Sequence, residues 1–164
     1  MRTSCSYKRI TKMIHKYYND EEEEDVTKPF LIETHMKNLD VDYVTIDYVE
    51  FGIFFNGNDD FVAVIKIEFP ETYPFRPPNV LINGHNYKRL LALPTEWTEF
   101  FDIDTCLCCN SILCKWGPSY NIRDVLTEVI KNIQYKIRIN EIKVCRQLIK
   151  QKMNINYLPI EEFL

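Results

Sequence analysis

An alternating strand that runs directly into a string of prolines is the strongest constraint in this 164-residue chain. Phe61, Ala63, Ile65, Ile67 and Phe69 take every second position, the period of a strand with one buried face. Pro74, Pro77 and Pro78 then remove three backbone donors within five residues. Sheet pairing must stop there and a stiff, extended crossing must begin. Tyr73 and Phe75 supply aromatic bulk to pin that crossing to the body.

The flanking segments have their own periods. Ile10, Met13, Ile14, Tyr17 and Tyr18 form one apolar stripe at helical spacing, with Lys8, Arg9, Lys12 and Lys16 mostly off it. Ser4 or Ser6 caps the start of that helix. Six consecutive acidic residues, 20–25, read as a solvated loop. From Tyr43 to Phe55 the pattern is strand-like, with a parity shift near Val49 that predicts a bulge or a break. Asn56-Gly57 is a hairpin turn signal, and Val80 to Ile82 is a short strand stopped by Asn83-Gly84. Residues 88–105 lack a clear period and read as an insertion. Ile122, Val125, Leu126, Val129, Ile130, Ile133 and Ile137 share a helical face. After a phase slip near Asn140, Ile142, Cys145, Leu148 and Ile149 continue it, as one bent helix or two, to about residue 157. Cys145 on that face reads as a buried small hydrophobe. The expectation is one α+β domain over 1–164, with an N-terminal helix, an antiparallel four-stranded meander, and C-terminal helices packed on one side.

Hydrophobic residues make up 46% of the chain, enough for a sizeable core. A net charge of −4 and a pI near 5.4 argue against electrostatic binding to nucleic acid. No apolar run has the length of a membrane span, and residues 1–18 lack the apolar core of a signal peptide. The chain is therefore expected as a monomer in a reducing compartment, the cytoplasm or the nucleus. Four of its six cysteines, Cys106, Cys108, Cys109 and Cys114, fall within nine residues. Such crowding in a reducing compartment points to metal, redox or nucleophile chemistry rather than a disulfide framework. Adjacent ligands without a second Cys-x-x-Cys pair fit tetrahedral zinc poorly, so neither metal nor cofactor is expected.

Phe69-Pro70-Glu71-Thr72-Tyr73-Pro74-Phe75-Arg76-Pro77-Pro78 resembles the segment that comes after the third strand of ubiquitin-conjugating enzymes. Downstream, Cys109-Asn110-Ser111-Ile112-Leu113 and Trp116-Gly117-Pro118-Ser119-Tyr120-Asn121-Ile122 resemble that family's active cysteine, its loop, its Trp-Ser-Pro-Ala turn and its next helix. With the leading helix and meander, the resemblance covers roughly residues 7–135. The clustered cysteines are also similar to those of divergent conjugating-enzyme-like proteins of large DNA viruses. The resemblance implies a ubiquitin-conjugating fold and a thioester-forming cysteine. An activating enzyme, which uses ATP, would pass ubiquitin or a ubiquitin-like protein to that cysteine, and a ubiquitin ligase would direct it to a substrate lysine. Counting back two from Ser111 gives Cys109 as the nucleophile; counting back eight from Trp116 gives Cys108. Cys109 is preferred, because the loop before the tryptophan varies in length in the family and the Cys-x-x-Ile-Leu unit does not. The implied partner surface comprises Arg9, Lys12, Phe75, Pro118 and Ser119.

The chain also departs from the family. A His-Pro-Asn motif belongs about eight residues before the cysteine, yet position 101 is Phe. The nearest echo is His85-Asn86, and Asn110 is an alternative amide beside the thiol. No His lies within twenty residues of Cys109, so a local Cys-His pair is not indicated. Glu141 stands at a plausible spacing for the acid that orients an incoming lysine, but that role stays unassigned. A catalytically inactive variant that binds ubiquitin or a partner enzyme is the alternative reading, and a cysteine-rich metal-binding module is a further one.

Overall fold

The computed structural model describes residues 2–19, 29–40, 43–55, 58–92 and 107–153. The acidic run 20–25, the Asn56-Gly57 turn and most of the 88–105 insertion lie outside them. Ser4 opens the first helix, α1 (Cys5–Asn19), by accepting the backbone N–H of Tyr7 at 2.8 Å, as an N-cap does. Ile10 faces inward and is fully buried, with Met13 and Ile14 packed beside it.

Among the described residues six strands form one sheet: β1 (Arg2–Thr3), β2 (Phe30–Asp40), β3 (Tyr43–Phe55), β4 (Asn58–Glu68), β5 (Asn79–Ile82) and β6 (His85–Asn86). From β2 to β6 each pairs antiparallel with the next, while β1 runs parallel to the start of β3. The strand segments read from the sequence correspond to β3, β4 and β5, and β2 and the short β1 and β6 add to them. The parity shift in β3 has a physical cause. Val44 and Ile46 face the core, and Val49, Phe51 and Ile53 continue on the opposite parity. The register slips between them, where His35 pairs with Tyr48 and Met36 with Ile46, so Asp47 is the extra residue of a bulge. Ala63, Ile65 and Ile67 of β4 are all buried, as their alternation requires. Asn83 (φ 48°) and Gly84 (φ 79°) both take the left-handed conformation that a tight hairpin between β5 and β6 demands.

Among the described residues three further helices follow: α2 (Tyr87–Leu91), α3 (Leu107–Asn110) and α4 (Ile122–Met153). At the start of α4, Asn121 Oδ1 accepts the N–H groups of Arg123 and Asp124, and Asp124 Oδ2 accepts the N–H of Asn121. This reciprocal cap satisfies donors that an open helix end leaves unpaired. The C-terminal part is one continuous helix of 32 residues, not two. Its apolar face is buried as far as Ile139; beyond that Val144, Leu148 and Ile149 are 45%, 49% and 41% exposed. Cys145 is exposed as well, which corrects its reading as a buried hydrophobe. The phase slip near Asn140 marks the point where the helix passes the edge of the body. Among the described residues no helix is long and apolar enough to cross a membrane.

Strand β2 escaped sequence reading because three register shifts break its alternation and it lies at the sheet edge. Phe30, paired with Gly52, lays its ring over that glycine and stacks on Phe54 with centroids 5.2 Å apart. A Cβ on Gly52 would sit well inside contact distance of the Phe30 ring. Gly52→Ala should therefore cost about 1 kcal/mol in urea unfolding, and much less in a Phe30→Ala background, where the ring is absent. Equal costs in the two backgrounds would rule out this contact as the cause.

Candidate active site

The proline crossing sets one wall of the site. Tyr73 is buried, edge-on to Phe69 at 4.9 Å and tilted toward Trp116 at 6.0 Å. Trp116 Nε1 donates to Pro74 O at 2.8 Å, and Ser6 Oγ on α1 donates to Tyr73 O at 2.8 Å. The Tyr73–Pro74 peptide is cis. The crossing is thus held from both sides, by the first helix and by the segment just beyond the cysteines. Burial raises the Tyr73 hydroxyl above its ordinary pKa, partly opposed by the charge of Arg9 and a hydrogen bond from it.

Two of the cysteines, Cys108 and Cys109, lie on the short helix that precedes Ser111. In α3, Leu107 and Cys108 pack against the core, whereas Cys109 and Asn110 are exposed. Cys109 and Cys114 are free thiols. Cys108 is disulfide-bonded, whereas the sequence pointed to metal, redox or nucleophile chemistry in preference to a disulfide framework. Its Sγ lies 3.8 Å from that of Cys109, which is then the one able to donate an S–H. Among the described residues no three metal-binding side chains come together.

Beneath the turn lies a polar hub that sequence reading missed. Glu128, on α4, accepts Ser111 Oγ at 2.7 Å and Tyr87 OH at 2.9 Å through Oε1, and Ile112 N at 2.7 Å through Oε2. Asn132, one turn along the helix, donates to Tyr87 OH at 2.6 Å. Ser111 is only 3% exposed, and its Oγ also accepts Leu113 N at 3.2 Å. A signal for the hub existed: Glu128 and Asn132 are spaced i, i+4 along the border of an otherwise apolar stripe. Nothing in the sequence named Tyr87 or Ser111 as their partners.

The other expected residues are spread around this turn. Phe75 is 80% exposed, which excludes packing under the crossing, and Lys12, Pro118 and Ser119 are exposed too. Arg9 is engaged within the chain, its guanidinium donating to the carbonyls of Pro118 and Tyr120. It fixes the second loop of the expected partner surface against α1. Asn86 caps α2, with Oδ1 accepting Lys88 N at 2.9 Å and Nδ2 reaching Asn79 Oδ1 at 3.4 Å. It lines an open groove together with Pro77, Pro78, Val80 and Leu113. Asn110 Oδ1 accepts Lys115 Nζ at 3.0 Å, which leaves Nδ2 as that amide's donor end. Glu141 is exposed on α4, and position 101 lies outside the described residues. No known protein family, curated protein or solved structure matches this chain.

Burial pushes the Tyr87 hydroxyl well above its ordinary pKa of 10.0; the bond from Asn132 opposes this, and the charge of Glu128 and its hydrogen bond add to it. A folded-state value raised above the unfolded one means that the stabilisation is complete below pH 10 and is lost as pH rises beyond it. Tyr87→Phe should cost about 1–2 kcal/mol at pH 7, because Glu128 and Asn132 each lose a partner. Wild type should then lose up to about 1.4 kcal/mol per pH unit above pH 10 from this group alone. Urea unfolding between pH 8 and 11 should give a shallower decline for Tyr87→Phe; parallel curves would place the titration elsewhere.

Proposed function

We propose that this chain is a ubiquitin-conjugating-type enzyme that carries ubiquitin or a ubiquitin-like protein as a thioester on Cys109. The observation that carries the reading is the state of that residue: a free, outward-facing thiol on a turn anchored to the long helix and adjoining the proline crossing. The order of elements supports the same reading, with a leading helix, a meander, the crossing, the cysteine turn and a long helix. Cys108, turned toward the core and oxidised, is the weaker candidate.

In this mechanism the Cys109 thiolate attacks the modifier's C-terminal carbonyl, held as a thioester on the activating enzyme. The tetrahedral intermediate expels that enzyme's thiolate, and the modifier is left on Cys109. A neutral lysine amine of the substrate later attacks the same carbonyl and Cys109 leaves as thiolate. Thiol is the fitting nucleophile, because thioester exchange is close to balanced and the product still acylates amines. A fixed turn contributes by holding the carbonyl in a defined place for the incoming amine. Phe75, 80% exposed, offers an aromatic anchor for a ligase or the activating enzyme, with the exposed Pro118-Ser119 turn as a further part of that surface.

One observation favours the inactive variant. The chain lacks His-Pro-Asn, and Asn86, the asparagine of its nearest echo, has both ends of its amide in structural bonds. Loss of an oxyanion donor costs roughly 3–4 kcal/mol where nothing replaces it.

A charging assay separates the two. With activating enzyme, ATP and ubiquitin, wild type should form a thiol-sensitive adduct on a non-reducing gel. Cys109→Ser should lose it or replace it with a thiol-resistant ester, and Cys108→Ser should keep it. Absence of any adduct from folded wild type, with ubiquitin and ubiquitin-like modifiers alike, would favour a binding-only protein. A second test concerns the surface: Phe75→Ala should leave the melting temperature within about 2 °C and reduce ligase-dependent transfer several-fold. An unchanged transfer rate would remove Phe75 from the partner surface.

A further inference from the structure

We propose that Glu128 is a positioning residue for acyl transfer at Cys109, an inference that rests on reading Cys109 as the thioester carrier. Three donors converge on this one carboxylate from two separate segments: Tyr87 OH from α2, and Ser111 Oγ and Ile112 N from the chain just after the thiol. Among the described residues no Lys or Arg forms an ion pair with it. Its charge is met by hydrogen bonds of fixed direction, each stronger than a neutral pair.

Ser111 is the pivot of the arrangement. Besides binding Glu128, its carbonyl accepts Cys114 N at 3.0 Å and Lys115 N at 3.1 Å, and its own N–H donates to Cys108 O at 3.3 Å. Every turn between Cys108 and Lys115 therefore closes through a residue that Glu128 holds. A helix of four residues has no stability of its own. Leu107 and Cys108 seat its first half in the core; the Glu128 contacts fix Ser111 and Ile112, immediately past its second half. Cys109 and Asn110 lie between these two anchors and face solvent. Glu128 thus acts on the thiol through Ser111 and Ile112 without touching the reacting atoms, and a displacement of about 1 Å at a reacting centre can cost on the order of a hundredfold in rate.

The test uses wild type, Glu128→Gln, Ser111→Ala and the double variant in single-turnover discharge of preformed ubiquitin thioester to free lysine. Gln keeps the length but puts an amide NH2 where one of the three donors points, so at least one bond is lost. The maximal discharge rate of Glu128→Gln should fall about tenfold while the lysine concentration for half-maximal rate stays put. The double variant should be little slower than Glu128→Gln, because both changes break the same link. Rates are taken per folded molecule, with the folded fraction read from thermal unfolding. Wild-type discharge by folded Glu128→Gln, or additive effects in the double variant, would overturn the positioning role and leave the function intact. If Glu128→Gln does not fold, Ser111→Ala decides: it removes one bond of the hub, and a wild-type rate there overturns the proposal. Failure of wild type itself to form a thioester would overturn the underlying reading, and this inference with it.

Discussion

The hydrogen bond from Trp116 Nε1 to Pro74 O joins the two halves of this protein. Before Pro70 the described residues are helix and sheet, ordered by alternation and by the bulge at Asp47. After Asn86 the described residues form helices and turns, with no strand among them to tie that part back. The prolines force the chain off the sheet, and a proline-rich crossing has few donors with which to fasten itself. Its carbonyls must be used instead. Ser6 takes that of Tyr73 and Trp116 takes that of Pro74, while the Tyr73 ring fills the gap between Phe69 and Trp116. A local shortage of donors is met by side chains from both ends of the domain, and the cysteine turn is aligned as a by-product.

A second fixing point, the Glu128 hub, works from below. It carries no periodic signal, since one acid on the border of an apolar stripe looks like any solvated helix residue. Its partners come from residues 17 and 41 positions away, so spacing arguments do not reach them. By contrast, the alternation of β4, the left-handed pair Asn83-Gly84 and the face of α4 as far as Ile139 were all legible, because each is a local pattern. The parity shift in β3 was legible as an irregularity, although only the pairing with β2 identifies the extra residue.

The unread parts have physical reasons. Strand β2 alternates poorly because its bulges move side chains between faces, and an edge position lets Ile32 and Met36 remain 46% and 57% exposed. Cys145 was misread because an apolar stripe says which residues share a face, not whether a neighbour covers it. For the candidate site, the exposure of Phe75 and the outward direction of Cys109 follow from the tertiary packing and leave no local pattern. That Arg9 would spend its guanidinium on the Pro118 and Tyr120 carbonyls lies beyond any reading of α1 by itself.

Helix α4 makes the domain unequal along its length. At about 1.5 Å per residue its 32 residues form a rod of about 48 Å, yet its buried apolar face ends at Ile139. The first turns are locked into the global unfolding unit by the core and the hub. The last turns bury little apolar surface, so backbone amides there exchange with solvent by local fraying while those near Val129 wait for the whole domain to open. One continuous helix therefore spans nearly the full range of local stability in the molecule, with the thiol-bearing turn braced at its rigid end.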